Sequence, residues 1–145
     1  MANKVNFPKN YTSFKNMIAP KRYNEIESFT TARDLIASLT HALRQSNKDI
    51  KQMYSHELAT QGFSIMHNIK NAYKTKDKQS RIKILEEVID TSKFIGDICD
   101  MLINEKFFTL KQGANIIKNL GFLEAQLEKW INGTKTQIEN EEKII

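Results

Sequence analysis

No proline follows Pro20, and over that same stretch apolar residues recur in alternating steps of three and four. Proline removes a backbone donor and breaks helix interiors, so its absence leaves long helices unopposed, while the spacing lays one apolar stripe along each of them. With 5 Gly and 2 Pro in 145 residues, the chain also lacks the punctuation that many-stranded folds need at their turns. Phe29, Ala32, Ile36, Leu39 and Leu43 mark a first helix over about 26–45. Leu58, Gly62, Ile65, Ile69 and Ala72 mark a second over about 48–74. Leu85, Val88, Ile89, Ser92, Gly96, Cys99 and Ile103 mark a third over about 77–104, where the glycine and serine permit close helix packing. A fourth begins at Thr109, whose hydroxyl suits an N-cap, presents Ile116, Leu120, Leu123, Leu127 and Trp130, and meets a stop signal at Asn132–Gly133.

Short connections near 46–47, 75–76 and 106–108 make consecutive helices antiparallel neighbours. The expected fold is therefore all-α, an antiparallel up-down-up-down four-helix bundle with an N-terminal extension. It divides into a basic arm (1–24), the bundle (25–134) and a polar tail (135–145) that either continues as a helix or frays. A chain of 145 residues is the size of one domain and buries roughly two-thirds of its unfolded surface.

Charge is distributed unevenly. Residues 1–24 hold Lys4, Lys9, Lys15, Lys21 and Arg22 with no acid, which equals the whole chain's net charge of +5. Lys70, Lys74, Lys76, Lys78, Arg81 and Lys83 then outnumber Asp77, while Glu86, Glu87, Asp90, Asp97, Asp100 and Glu105 outnumber Lys93. Such polarity suits a polyanion at one pole and a different partner elsewhere, the plainer alternative being solvated helix faces. The apolar runs fall far short of the roughly 20 residues that span a bilayer. The start MANKVNFPKN carries no apolar signal region, so no membrane association and a cytoplasmic location are expected. The lone Cys99 reads as a small core hydrophobe in a reducing compartment.

Nothing points to catalysis. The three histidines, His41, His56 and His67, stand in no metal-ligand spacing with an acid, and no phosphate-binding loop, nucleophile elbow or zinc motif occurs. No metal or cofactor is expected. Projected at 100° per residue, however, His56, Phe63, His67, Lys70 and Lys74 fall opposite the core stripe of the second helix. Lysines there can meet phosphates while Phe63 stacks on a base, or Phe63 packs against another subunit. Lys76, Lys78, Arg81 and Lys83 extend this basic pole, and Lys15, Lys21 and Arg22 of the arm make a competing claim to the same ligand. On the third helix Phe94, Ile98 and Met101 form a second apolar face. A bundle that left this face in water would aggregate, so it is the expected oligomer interface, unless the first helix or the arm covers it.

The stretch INEKFFTLKQGANIIKNLGFLEAQLEKWINGT, residues 103–134, resembles the closing segment of a four-helix-bundle family. That family contains the accessory variability determinant of diversity-generating retroelements and the proteins encoded in bacterial ribosomal-RNA intervening sequences. The shared elements are FFTLKQ at the turn into the last helix and the run through Leu127, Lys129, Trp130 and Ile131. FTTARDLIASL resembles the family's opening helix through Phe29, Asp34 and Leu35. Two features depart from the family. SNKDIKQMY replaces its FPK-type segment between the first two helices, and Asp97 and Asp100 replace an arginine-rich pattern on the third. The resemblance implies a homopentamer of bundles that binds a reverse transcriptase and its RNA, or an RNA–DNA hybrid. The expectation is thus a non-catalytic nucleic-acid-binding accessory protein of a retroelement reverse transcriptase. Its alternative is a structural or assembly protein of a mobile element or phage.

Overall fold

The computed structural model describes residues 23–144, with side chains from Glu27 onward. These residues form four helices and no strand: α1 (Tyr23–Arg44), α2 (Lys48–Lys74), α3 (Lys78–Asn104) and α4 (Leu110–Ile144). Local chemistry sets the starts. Asn47 caps α2, its side-chain oxygen accepting from the Ile50 N–H at 3.0 Å. Asp77 caps α3, accepting from the backbone and hydroxyl of Ser80, which holds its carboxyl below the usual range. At α4 the Thr109 hydroxyl accepts from the Gln112 N–H at 3.0 Å while Gln112 Oε1 accepts from the Thr109 N–H at 2.9 Å. This reciprocal capping box satisfies two donors that the first helical turn leaves unpaired. At its far end α3 closes with Lys106 N–H bonding to the Ile103 carbonyl and Phe107 N–H to that of Leu102. Lys106 takes the left-handed conformation (φ 66°) that this closure requires and that glycine usually fills.

Each helix packs on two neighbours in ring order, α1 on α2, α2 on α3, α3 on α4 and α4 back on α1, and no Cα atoms of the diagonal pairs approach within 8 Å. The directions alternate. Ser38, late in α1, accepts from Asn115 and Asn119, early in α4, while Lys78 at the start of α3 pairs with Glu141 near the end of α4. The bundle is antiparallel, up-down-up-down. Its core runs the length of the ring, with Leu35, Leu58, Ile65, Leu85, Ile95, Leu102, Phe108, Ile116, Leu123 and Leu127 almost fully enclosed. Two glycines admit close crossings. A Cβ on Gly113 would collide with Ile103 Cδ1, and one on Gly62 would lie 2.9 Å from Ile36 Cγ1.

Two expectations need correcting. α4 does not stop at Asn132–Gly133 but runs on through the polar tail, which takes the helical of its two expected forms. Thr134 is buried, Ile138 packs on the core and Glu141 pairs with Lys78, so tertiary contacts carry the helix past a weak stop. The second correction concerns Ile98. It belongs to the core at 8% exposure, because a helix with two neighbours buries a wide arc and Ile98 falls on the flank turned to α2. Of the segment read as an arm, Tyr23 and Asn24 belong to α1. Residues 1–22, with Lys15, Lys21 and Arg22, lie outside the described residues.

Candidate nucleic-acid interface

The core stripe of α2, with Leu58, Gly62, Ile65, Ile69 and Ala72 buried, turns the opposite side of the helix outward. His56, Phe63, His67, Lys70 and Lys74 are all exposed there, and Phe63 keeps 60% of its surface. No acid of α2 shares this line between His56 and Lys74, since Glu57 projects to another flank, where it accepts from Gln61 at 2.7 Å. The face therefore offers two ammonium groups, two imidazoles and a ring along roughly 27 Å of helix. Lysine ammonium groups meet backbone phosphates as point charges, and an exposed ring takes an unstacked base.

Beyond Lys74 the predicted pole splits. Lys76 and Lys83 are exposed. Lys78 instead sits 2.9 Å from Glu141. Arg81 is half-buried and donates through Nε to the Ala72 carbonyl at 3.3 Å and through Nη2 to that of Thr75 at 2.7 Å. Its guanidinium closes the end of α2, so it is a structural cap before it is a phosphate ligand. The last turns of α4 also bring Glu139, Glu141 and Glu142 to this end of the bundle. The freely presented cations of the predicted cluster are thus Lys70, Lys74, Lys76 and Lys83.

On α3, Phe94 and Met101 keep 46% and 54% of their surfaces, without Ile98 between them. Asp97 and Asp100 are exposed alongside. Among the described residues no group of three or more His, Cys, Asp or Glu side chains converges as a metal site. Burial pushes the Cys99 thiol up to about 12, with Asp100 adding to the rise, so it is not a ready nucleophile. No described helix is long and apolar enough to cross a membrane.

Two seams beside α1 carry surface features that the helical stripes alone did not mark. Between α1 and α2 lies an apolar groove of about 270 Å³, walled by Ile36, Leu39, Leu43 and Leu58, with Phe63 on its rim and Arg44 and Lys51 at one end. Between α1 and α4 the outer contacts are polar. Gln112 donates to Gln45 at 2.8 Å, and Asn119 and Asn115 donate to Ser38 at 2.7 and 3.3 Å. The signal for this second seam was Gln112, Asn115 and Asn119 at helical spacing on one flank of α4. Compared with known protein families, curated proteins and solved structures, the chain matches none.

Proposed function

We propose that this protein is a non-catalytic nucleic-acid-binding accessory protein of a retroelement reverse transcriptase, acting as a homo-oligomer of bundles. The observation that carries the nucleic-acid reading is the outer face of α2 from His56 to Lys74, on which no acid of α2 falls, with Phe63, His67, Lys70 and Lys74 exposed on one line, Lys76 exposed just past its end and Lys83 exposed on α3. Lysines along a helix neutralise successive phosphates, and Phe63 supplies a stacking surface that does not depend on sequence. The reverse transcriptase, its template RNA or RNA–DNA hybrid, and a pentameric ring rest on the resemblance of residues 103–134 and 29–39 to the retroelement family. Assembly is assigned to the outer flank of α3 through Phe94 and Met101, Ile98 being occupied in the core.

The test replaces Lys70, Lys74, Lys76 and Lys83 by glutamine in the full chain and measures binding to single-stranded RNA and to an RNA–DNA hybrid over a salt series. Affinity should fall for every sequence, and the salt slope should shrink by about 0.7–0.9 for each phosphate that is no longer neutralised. An unchanged slope refutes the α2 assignment. Co-purification with the reverse transcriptase encoded nearest the gene tests the partner, and its repeated failure removes that part of the reading.

A second reading, a structural or assembly protein, is favoured by the apolar α1/α2 groove with its basic end and by the exposed Phe94 and Met101. Absence of nucleic-acid binding at low salt, with the oligomer intact, selects it.

A further inference from the structure

The outer face of α4 repeats the composition of the α2 face with a stronger charge. Lys111, Lys118, Phe122 and Lys129 project within about 40° of one another, all four are exposed, and Phe122 keeps 55% of its surface. No acid of α4 lies within about 60° of that line. Glu124 and Glu128 fall on the flank turned to α3, where Glu124 accepts from Ser92 and lies 3.7 Å from Lys93. None of the three lysines forms an ion pair among the described residues. Along the helix axis Lys118 stands roughly 10 Å from Lys111 and roughly 16 Å from Lys129.

The neighbouring seam adds polar groups. An open groove of about 680 Å³ runs between α1 and α4 beside Lys111 and Lys118, lined also by His41, Gln45, Gln112 and Asn115. Amides in such a groove can donate to and accept from bases and sugars. The acids of α1 on this flank, Glu27 and Asp34, lie toward the Lys129 end, so Lys111 and Lys118 hold the more strongly positive stretch. Because α2 and α4 are diagonal in the ring, their outer faces look in opposite directions.

We infer that the outer face of α4 is a second site for a single-stranded nucleic-acid segment, with phosphates on Lys111, Lys118 and Lys129 and an unpaired base on Phe122, so that one subunit holds two strands on opposite sides of the bundle. The two-strand consequence rests on the nucleic-acid reading of α2, whereas the α4 site stands on its own residues. A protein built this way bridges strands as well as coating them.

The experiment uses the full chain and two ~20-nucleotide oligouridylates, long enough to cover one face. One carries biotin and is captured on beads, and the other carries fluorescein. The native protein should carry the fluorescent strand onto the beads. The variant Lys111→Gln, Lys118→Gln, Lys129→Gln should lose at least tenfold of that co-capture while still binding one strand, and its salt slope should fall by about 2 in all. Lys118→Glu alone serves as the second variant, and both should keep the native mass and unfolding midpoint, since exposed charges contribute little to folding. Phe122→Ala, placed on the Lys70→Gln, Lys74→Gln background, should lower the remaining affinity about tenfold. Undiminished co-capture and an unchanged slope in both α4 variants overturn the inference, because bridging then comes from α2 faces of different subunits. If the native protein binds neither strand at low salt, the α2 reading falls together with the α4 site.

Discussion

The two seams that flank α1 are built from opposite materials. Toward α2 the contact is apolar, with Ile36, Leu39 and Leu43 facing Leu58 and Gly62 letting the backbones approach. Toward α4 the outer contact is a row of amides and hydroxyls, Gln45 with Gln112 and Ser38 with Asn115 and Asn119. Gln126, on the same flank of α4, keeps a buried Oε1 with no donor among the described residues. Apolar burial yields about 25 cal/mol per Å², whereas a half-exposed side-chain hydrogen bond only trades water for protein. The outer contacts of the first seam therefore stabilise the fold more than those of the second. The second forgoes stability that leucines at the same positions would have supplied, and it lies beside the lysines of α4.

Truncations should separate the seams by size of effect. Leu58→Ala removes a side chain that is 1% exposed and should lower the unfolding free energy by about 3 kcal/mol in a urea titration. A loss under about 1 kcal/mol would mean that the α1/α2 seam collapses around the gap and is not the rigid one. Thr109→Ala opens the capping box that starts α4 beside the polar seam and should cost about 1 kcal/mol, read in the same titration. Asn119→Ala breaks the 2.7 Å bond to Ser38, but alanine's better helix propensity offsets the loss, leaving a net change within about 0.5 kcal/mol. A larger cost there would make the amide row structural after all. Smallest of all should be Lys118→Gln, with a thermal midpoint unchanged within error and its effect confined to the salt dependence of nucleic-acid binding.

Much of the fold is legible in the sequence because the punctuation residues act locally. Thr109 caps the helix that its position foretells, Asn47 and Asp77 cap α2 and α3 at starts that only the spacing marked, and the stripe Leu58, Gly62, Ile65, Ile69, Ala72 is buried as spaced. The failures have tertiary causes. Asn132–Gly133 reads as a stop, yet a glycine ends a helix by turning left-handed, and among the described residues no glycine does so. The left-handed turn belongs to Lys106, a residue type that gives no such signal. Ile98 projects outward only if one stripe is the whole buried arc, and a helix wedged between two neighbours buries more than one stripe. Within the candidate site, the exposure of Phe63, His67, Lys70 and Lys74 follows from helical projection alone. The engagement of Arg81 by two carbonyls and of Lys78 by Glu141 does not. Those partners depend on how α2 ends and where α4 runs, neither of which is encoded near the residues concerned.

The ring order of the helices also sets the order in which the chain folds. Three seams join helices that are adjacent in sequence, so each closes only a short loop and the bundle has the low contact order of a fast folder. The seam between α1 and α4 is different, since it brings together residues such as Ser38 and Asn119, 81 positions apart. It closes the longest loop, and its outer contacts are polar. A hairpin pair of α2 and α3 with α4 added, and α1 docked on α2, should form first, leaving the α1/α4 latch to click shut last and to spring open first. Amide protons of α1 whose hydrogen bonds face that latch should accordingly exchange faster than those of α3, which makes this edge the low-energy door of an otherwise cooperative bundle.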